Sequence, residues 1–229
     1  MVDKKILLGL TTTPNSDWRG KIEETKKFNI TEIALFPTYI QLPERKELYK
    51  LLEATPVRSI PHVHLRNDME EWEMDLFVEK YQTQVFNIHP LNANFSFDYA
   101  KFSKYKHMTY IENQYHIPGD SEIEMFAGLC IDFTHWESDF IKESMRRKKA
   151  YRNFEEKIRK YGVGVAHISA IRSFMGFMSY DSHMMHDLKD LDYVKNYQEF
   201  FPPIISIELE NSFAEQLEAK EYLEKIINN

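Results

Sequence analysis

Short apolar runs rich in β-branched residues alternate with longer amphipathic stretches along the whole chain. The apolar runs cover residues 5–10, 32–36, 57–63, 85–88, 108–111, 129–133, 163–168 and 204–209. Each has the length and composition of a buried strand. Between them, stretches such as residues 43–54, 68–81, 139–161 and 214–227 repeat apolar residues three or four positions apart, which predicts helices.

Strands that alternate with helices predict a parallel sheet with right-handed crossovers. Eight such units at intervals of roughly 20 to 40 residues favour a closed (β/α)8 TIM barrel over an open sheet. The chain has 229 residues, which suits one barrel domain spanning residues 1–229. With 7 glycines and neither a G-x-G-x-x-G motif nor a P-loop, nucleotide-binding folds are disfavoured.

Composition narrows the function classes further. No apolar run reaches 18 residues and no cleavable leader is recognisable, so we expect a cytoplasmic protein without a membrane partner. The single cysteine, Cys130, is flanked by apolar residues and is expected to be structural. The net charge of −7 argues against binding nucleic acid by bulk electrostatics, although bound metals would add local positive charge. The basic run at residues 146–149 is interleaved with acidic residues and predicts a solvated helix face.

Potential metal ligands stand where the apolar runs end, on six consecutive predicted strands. In chain order they are His62, His89, Glu112, Asp132, His167 and Glu208. Because the carboxyl ends of parallel barrel strands meet around one mouth, these side chains are expected to converge. A mixed shell of imidazole and carboxylate suits zinc, manganese or iron. The sequence therefore predicts a divalent metal site at the barrel mouth.

Taken singly, each of these residues is more often a hydrogen-bonded core histidine or a solvated rim carboxylate than a ligand. Six in register make that reading less favourable. Two weaker pairs extend the set: Asp132 with His135, three positions apart, and Asp181 with His183, two apart in the loop after the seventh strand. His64 falls outside the pattern, and we expect it to point away from the face of His62 or to lie just past the strand end.

These motifs resemble the endonuclease IV group, or AP endonuclease family 2, within the xylose-isomerase-like barrels. The resemblance is carried by Ile60-Pro61-His62, Ile88-His89-Pro90, Ile111-Glu112-Asn113, the D-x-x-H segment from Asp132 to His135, Val165-Ala166-His167, Asp181-Ser182-His183 and Ile205-Ser206-Ile207-Glu208. All nine positions that bind metal in that family have a matching residue here.

The resemblance implies up to three zinc ions, or manganese. One would be held by His62, His89 and Glu112; a second by Glu112, Asp132, His167 and Glu208; a third by His135, Asp181 and His183. Glu112 would bridge the first two ions.

The implied activity is hydrolysis of phosphodiester bonds, at abasic sites in DNA bound at the metal-lined rim, by a metal-activated water. Glu112 and Glu208 would be the catalytic residues, with Glu208 orienting or deprotonating the water. The main alternative is a metal-dependent isomerase or epimerase of a small sugar or sugar phosphate. A third is a binding barrel without turnover. The oligomeric state stays open.

Three departures from endonuclease IV bear on the substrate. The stretch after His62 lacks the family's tyrosine, strand one ends at Thr13 without the histidine-serine element, and the chain is shorter than typical members. Trimmed loops would fall on the DNA-facing side. The sequence thus supports metal chemistry better than DNA recognition.

Overall fold

The computed structural model of the chain describes residues 4–90, 99–114, 116–138, 148–174 and 178–227. In those ranges the strands of the main sheet are β1 Lys5–Leu7, β2 Gly9–Thr11, β3 Glu32–Phe36, β4 Ser59–His64, β5 Val85–Ile88, β6 Thr109–Glu112, β7 Leu129–Asp132, β8 Val163–Ile168 and β11 Ile204–Ile207. They pair in the order β1-β11-β8-β7-β6-β5-β4-β3-β2. Every neighbouring pair is parallel.

The strands at the two ends of this sheet, β1 and β2, belong to one continuous segment. Counted as one strand, they close the sheet into an eight-stranded barrel. Only Leu8 separates β1 from β2, and its carbonyl accepts a hydrogen bond from Ala34 N at 2.8 Å. Gly9 permits the closure: a Cβ there would lie 1.8 Å from the carbonyl oxygen of Ile207. The predicted α/β TIM barrel is confirmed.

Helices cover the outside of the barrel. They are α1 Trp18–Lys27, α2 Leu42–Glu53, α3 Glu71–Tyr81, α4 Asp120–Ile123, α5 Phe133–Glu137, α6 Lys148–Tyr161 and α7 Phe213–Ile227, with 3-10 segments at Tyr99–Met108 and Leu188–Phe200. The predicted helices at 43–54, 68–81 and 214–227 agree with α2, α3 and α7 within a few residues. Of the stretch predicted at 139–161, residues 139–147 lie outside the described residues, and so do the first two residues of the basic run at 146–149.

The segment after β8, which the sequence predicts as a loop, forms an antiparallel hairpin. Its strands are β9 Ala170–Phe174 and β10 Met178–Ser182. Asp181 pairs with Ile171 in this hairpin, which rises from the carboxyl end of β8. An acidic side chain is thereby placed at the barrel mouth.

The core has two parts, one between the strands and the helices and a smaller one inside the barrel. The inner cluster contains Leu7, Ala34, Phe36, Val85, Cys130, Val165 and Ile204. Phe36 meets the rings of His62 and His167 edge-on, with centroids 5.4 and 5.7 Å apart, so the apolar interior ends where the histidines begin. Cys130 is buried on β7, as predicted. No helix in the described ranges is long and apolar enough to cross a membrane.

Candidate metal centre

The register between β4 and β5 decides which histidine of the sequence Pro61-His62-Val63-His64 reaches the mouth. β4 extends to His64, so both histidines have the same parity and face the interior. His62 is paired with Val85 at the start of β5, whereas His64 is paired with Asn87. His64 therefore lies nearer the carboxyl ends, and His62 lies one layer deeper.

This corrects the expectation for both residues: the predicted strand ended too early, at residue 63. His64 points into the centre rather than away from it. Its Nε2 lies 3.1 Å from His89 Nε2 and 3.2 Å from Glu112 Oε2. His62 has both ring nitrogens hydrogen-bonded within the protein, Nδ1 to Ser206 Oγ and Nε2 to Asn87 Oδ1, each at 2.8 Å. Both partners of His62 are groups that do not bind metal here, whereas His64 Nε2 faces two other potential ligands, His89 and Glu112.

Two nitrogens and one carboxylate oxygen thus form a compact triangle, closed by a separation of 3.7 Å between His89 Nε2 and Glu112 Oε2. Ligands bound at about 2.05 Å to a tetrahedral zinc lie about 3.3 Å from one another. His64 Nδ1 also lies 2.9 Å from the carbonyl of Leu65, where it donates its proton. That bond leaves the Nε2 lone pair of a neutral His64 facing the centre, as in metal-binding histidines.

A second group of potential ligand atoms lies at the ends of the neighbouring strands β7, β8 and β11. His167 Nδ1 is 2.7 Å from Glu208 Oε2 and 3.6 Å from Asp132 Oδ2, and its Nε2 is 3.2 Å from Glu112 Oε2. Despite these short distances, neither ring nitrogen has a partner in hydrogen-bonding direction, although the residue is 1% exposed. Buried polar atoms are rarely left unsatisfied, so this arrangement fits a cation better than a hydrogen-bond network.

The local sequence explains how Asp132 and His135 come together. Asp132 is the N-cap of α5, and its Oδ1 accepts from Thr134 N at 2.7 Å and His135 N at 2.9 Å. Capping turns Oδ2 towards His135 Nδ1, 3.2 Å away. Asn113 fixes the strand end by bonding both the N–H and the carbonyl of Asp132, at 2.8 and 3.0 Å.

The third predicted set is only partly assembled. His135 Nε2 lies 3.4 Å from Asp181 Oδ2, and Asp181 Oδ1 is buried without a hydrogen-bond partner. His183 instead bonds through Nδ1 to the carbonyl of Glu208 at 3.2 Å and approaches Ser169 Oγ at 3.4 Å. Neither Asp181 nor His183 belongs to a group of three ligand atoms within 4.8 Å in the described part of the chain.

Four groups in the described residues meet that distance limit. They are His64, His89 and Glu112; Glu112, Cys130 and His167; Glu112, Asp132 and His135; and Asp132, His167 and Glu208. Glu112 is common to three of them, which makes its carboxylate the hub of the centre. The thiol of Cys130, which the sequence indicated only as a structural group, lies against this hub.

Histidines and carboxylates at the centre shift one another's pKa values through their charges. Although burial lowers it, the charge of Asp132 raises the pKa of His135 to about 10. Although burial raises it, the charge of His167 lowers the pKa of Glu208 to about 2. Burial with no carboxylate partner lowers the pKa of His62 to about 3. The carboxylates of the centre thus favour positive charge beside them, which a divalent cation would also supply.

Among the described ligand candidates, exposure to solvent differs from one side of the centre to the other. The side chains of His89, Asp181 and His135 are 22%, 19% and 11% exposed, whereas those of Glu112 and His167 are 1% exposed. A substrate would therefore approach along the edge formed by β5, α5 and the β9–β10 hairpin.

Comparison with known proteins bears on the fold. No family model and no curated protein matches the chain. Among solved structures it is similar to the IOLI protein, whose 1.8 Å crystal structure has a binding zinc atom. The TM-score is 0.52 and the sequence identity is 14%, and the match covers 96% of this chain and 98% of the IOLI chain. The shared fold is the α/β barrel. At this identity the likeness concerns the fold alone, and it extends over nearly the whole chain.

One signal that would have identified His64 was present in the sequence. Alternation along a strand places residues i and i+2 on the same face, so His62 and His64 had to point the same way. Which of the two stood at the mouth depended on the register with β5. The sequence of β4 alone does not determine that register.

Proposed function

We propose that the chain is a metal-dependent barrel hydrolase in which Glu112 would belong to the ligand sets of two divalent cations and the substrate is a phosphodiester. The observation that carries the proposal is the position of Glu112 Oε2, which lies 3.2 Å from both His64 Nε2 and His167 Nε2. A carboxylate shared by two sets of ligands is typical of two-metal hydrolytic sites.

In this proposal His64, His89 and Glu112 would hold the first cation. The ligands of the second would come from the groups around His167, which are Glu112 at Nε2 and Asp132 with Glu208 at Nδ1. His64 takes the part that the resemblance to endonuclease IV gives to His62. His135 and Asp181 lie at the open side, beside the second set, and are candidates for a further cation or for binding the substrate. The zinc in the IOLI protein supports a metal in a barrel of this shape.

When bound, the cations supply an activated water and neutralise charge on a phosphate as it is attacked. The residues of the chain hold the ligand geometry and exclude bulk water. Glu208 is 6% exposed, and its Oε2 lies 2.7 Å from His167 Nδ1. As a carboxylate it could orient the water or accept a proton from it.

DNA is the phosphodiester that we propose, with abasic sites as the target. Cations at the rim would offset the formal charge of −7 where the backbone binds.

The test is elemental analysis of purified protein, followed by an abasic-duplex cleavage assay on the same metal-loaded sample. We expect about two or more equivalents of zinc or manganese together with strand scission. His64→Asn should lose close to one equivalent, and His107→Asn, at an exposed histidine outside the centre, should lose none. Full metal content and activity in His64→Asn would contradict the proposal.

A one-metal sugar isomerase is the second candidate. The observation that favours it is that Asp132, His167 and Glu208 already form a closed group without His64 or His89. Such an enzyme would bind about one equivalent, leave the duplex intact and interconvert an aldose and a ketose. The same metal-loaded sample, offered both substrates, separates the two functions.

A further inference from the structure

We propose that His62 is a positioning residue, which holds the bridging carboxylate of Glu112 in place through the side-chain amide of Asn87. The inference rests on the proposed metal centre and assigns a function to the histidine that this centre does not use.

The residues form an unbroken chain of hydrogen bonds across the barrel interior. Ser206 Oγ on β11 lies 2.8 Å from His62 Nδ1 on β4, and His62 Nε2 lies 2.8 Å from Asn87 Oδ1 on β5. Asn87 Nδ2 then donates to Glu112 Oε2 on β6, again at 2.8 Å. Ser206, His62 and Asn87 are fully buried, so water does not substitute for any of these partners.

One constraint determines the direction of every bond in the chain. The carboxylate of Glu112 only accepts hydrogen bonds, so Asn87 must present its amide nitrogen to it. The oxygen of Asn87 therefore faces His62, whose Nε2 must carry the proton. In the neutral imidazole Nδ1 is then the acceptor, and the Ser206 hydroxyl donates to it.

Without the proton on His62 Nε2, the Asn87 oxygen loses its donor, and only the hydrogen bond to Glu112 still favours this orientation of the amide. A flipped amide would place Asn87 Oδ1 against Glu112 Oε2, and the two oxygens would repel each other. The flip would also remove the hydrogen bond that Asn87 Nδ2 donates to the carboxylate. The oxygen concerned is the same one that faces His64 and His167. Hydrogen bonds to a ligating carboxylate typically matter by about 10-fold to 100-fold in metal affinity.

The two histidines of β4 therefore have separate functions two residues apart. His64 presents a lone pair to the centre, and His62, one layer deeper, presents a proton to the group that orients the ligand. Both depend on the interior-facing parity of β4.

The experiment compares His62→Phe with His62→Gln in the full-length protein. Phenylalanine keeps a ring but supplies no donor, whereas the glutamine amide can donate to Asn87 from near the position of Nε2. We expect zinc affinity, measured by chelator competition, to fall about 10-fold to 100-fold in His62→Phe and to recover in His62→Gln. The visible spectrum of the cobalt-substituted protein should change in the first variant and resemble wild type in the second.

Thr83→Val is the matched control. It removes a buried hydrogen bond, from Thr83 Oγ1 to the carbonyl of Ile60 at 2.7 Å, which also involves β4 but not the chain through Asn87. It should lower thermal stability without changing zinc affinity or the cobalt spectrum. If His62→Phe does not fold, Asn87→Leu serves as the donor-free variant in its place.

Wild-type zinc affinity and an unchanged cobalt spectrum in His62→Phe, or in its substitute, would overturn this inference and leave the metal centre standing. A wild-type protein that binds neither zinc nor cobalt would overturn both proposals.

Discussion

Glu112→Gln tests the centre at its hub. Glu112 Oε2 lies 3.2, 3.2 and 3.7 Å from ring nitrogens of His64, His167 and His89. The substitution keeps size and shape but replaces a charged oxygen ligand with a neutral amide. Structural zinc sites with four ligands are worth about 10–16 kcal/mol, so the share of one ligand is about 3 kcal/mol. We therefore expect metal affinity to fall by about 100-fold or more.

The same substitution should also destabilise the metal-free protein. Although burial raises it, the charges of His167 and His89 lower the pKa of Glu112 well below its usual value. A buried acid of this kind contributes stability above its unfolded pKa of about 4.3, and this contribution is lost as the pH falls. Removing one partner of a buried ion pair costs about 3–5 kcal/mol. A loss of stability alone would thus not prove a metal function.

Glu73→Gln is the control for that reason. Glu73 is also a fully buried glutamate in an ion pair, here with Arg45 at 2.8 and 2.9 Å, but on the outside of the barrel in α3. It should lower the melting temperature by about 10 °C, as expected for 3–5 kcal/mol in a chain of this length, and leave metal affinity unchanged.

The assay is zinc affinity by chelator competition, with thermal unfolding of the metal-free protein recorded beside it. If Glu112→Gln bound zinc with wild-type affinity and stoichiometry, the carboxylate would not be a ligand. If Glu73→Gln weakened zinc binding as much as Glu112→Gln, the effect would be one of stability, and the reasoning would fail.

Three further predictions follow from the charges and the packing. Zinc affinity should rise with pH, because the cation must displace protons from the centre. There the charge of Asp132 outweighs burial and raises the pKa of His135 to about 10. A titration that showed no proton release on zinc binding would contradict this. The free energy of unfolding of the metal-free protein, measured in urea, should fall between about pH 6.5 and 10. The pKa of His135 is raised in the folded state, so protonated His135 stabilises the fold at pH values below its unfolded pKa near 6.5. This contribution is lost as the pH rises through the folded-state pKa of about 10. Gly9→Ala should lower the free energy of unfolding by about 2 kcal/mol or more, because its Cβ would lie 1.8 Å from the carbonyl oxygen of Ile207. Gly119→Ala is the control and should change stability little, since nothing lies within 4 Å of its Cβ. Equal melting temperatures of the two variants would refute the closure argument.

Much of the fold was predictable because strand and helix periods differ. Runs of four to six apolar residues separated by amphipathic stretches leave few arrangements besides a parallel barrel. The predicted bounds of β3, β5 and β8 agree with the structure. The hairpin after β8 was not predicted, because its strands carry polar residues and are only partly buried.

The candidate site was predictable in kind but not in detail. Chain order places Glu112, Asp132, His167 and Glu208 at strand ends, and parallel strands bring such ends together. Motif similarity assigned the ligand role to His62 rather than to His64. The pairing of His62 with Val85 and of His64 with Asn87 places His64 nearer the barrel mouth.

What the sequence by itself determined is therefore the barrel and the chemical type of its mouth, since both depend on local periodicity and on residue order. What only the tertiary structure decided is the depth of each side chain within the barrel. Depth depends on the stagger between neighbouring strands, a relation between segments about 20 residues apart. That stagger brings His64 Nε2 to 3.2 Å from Glu112 Oε2 at the candidate metal centre and leaves His62 one layer deeper, 2.8 Å from Asn87 Oδ1.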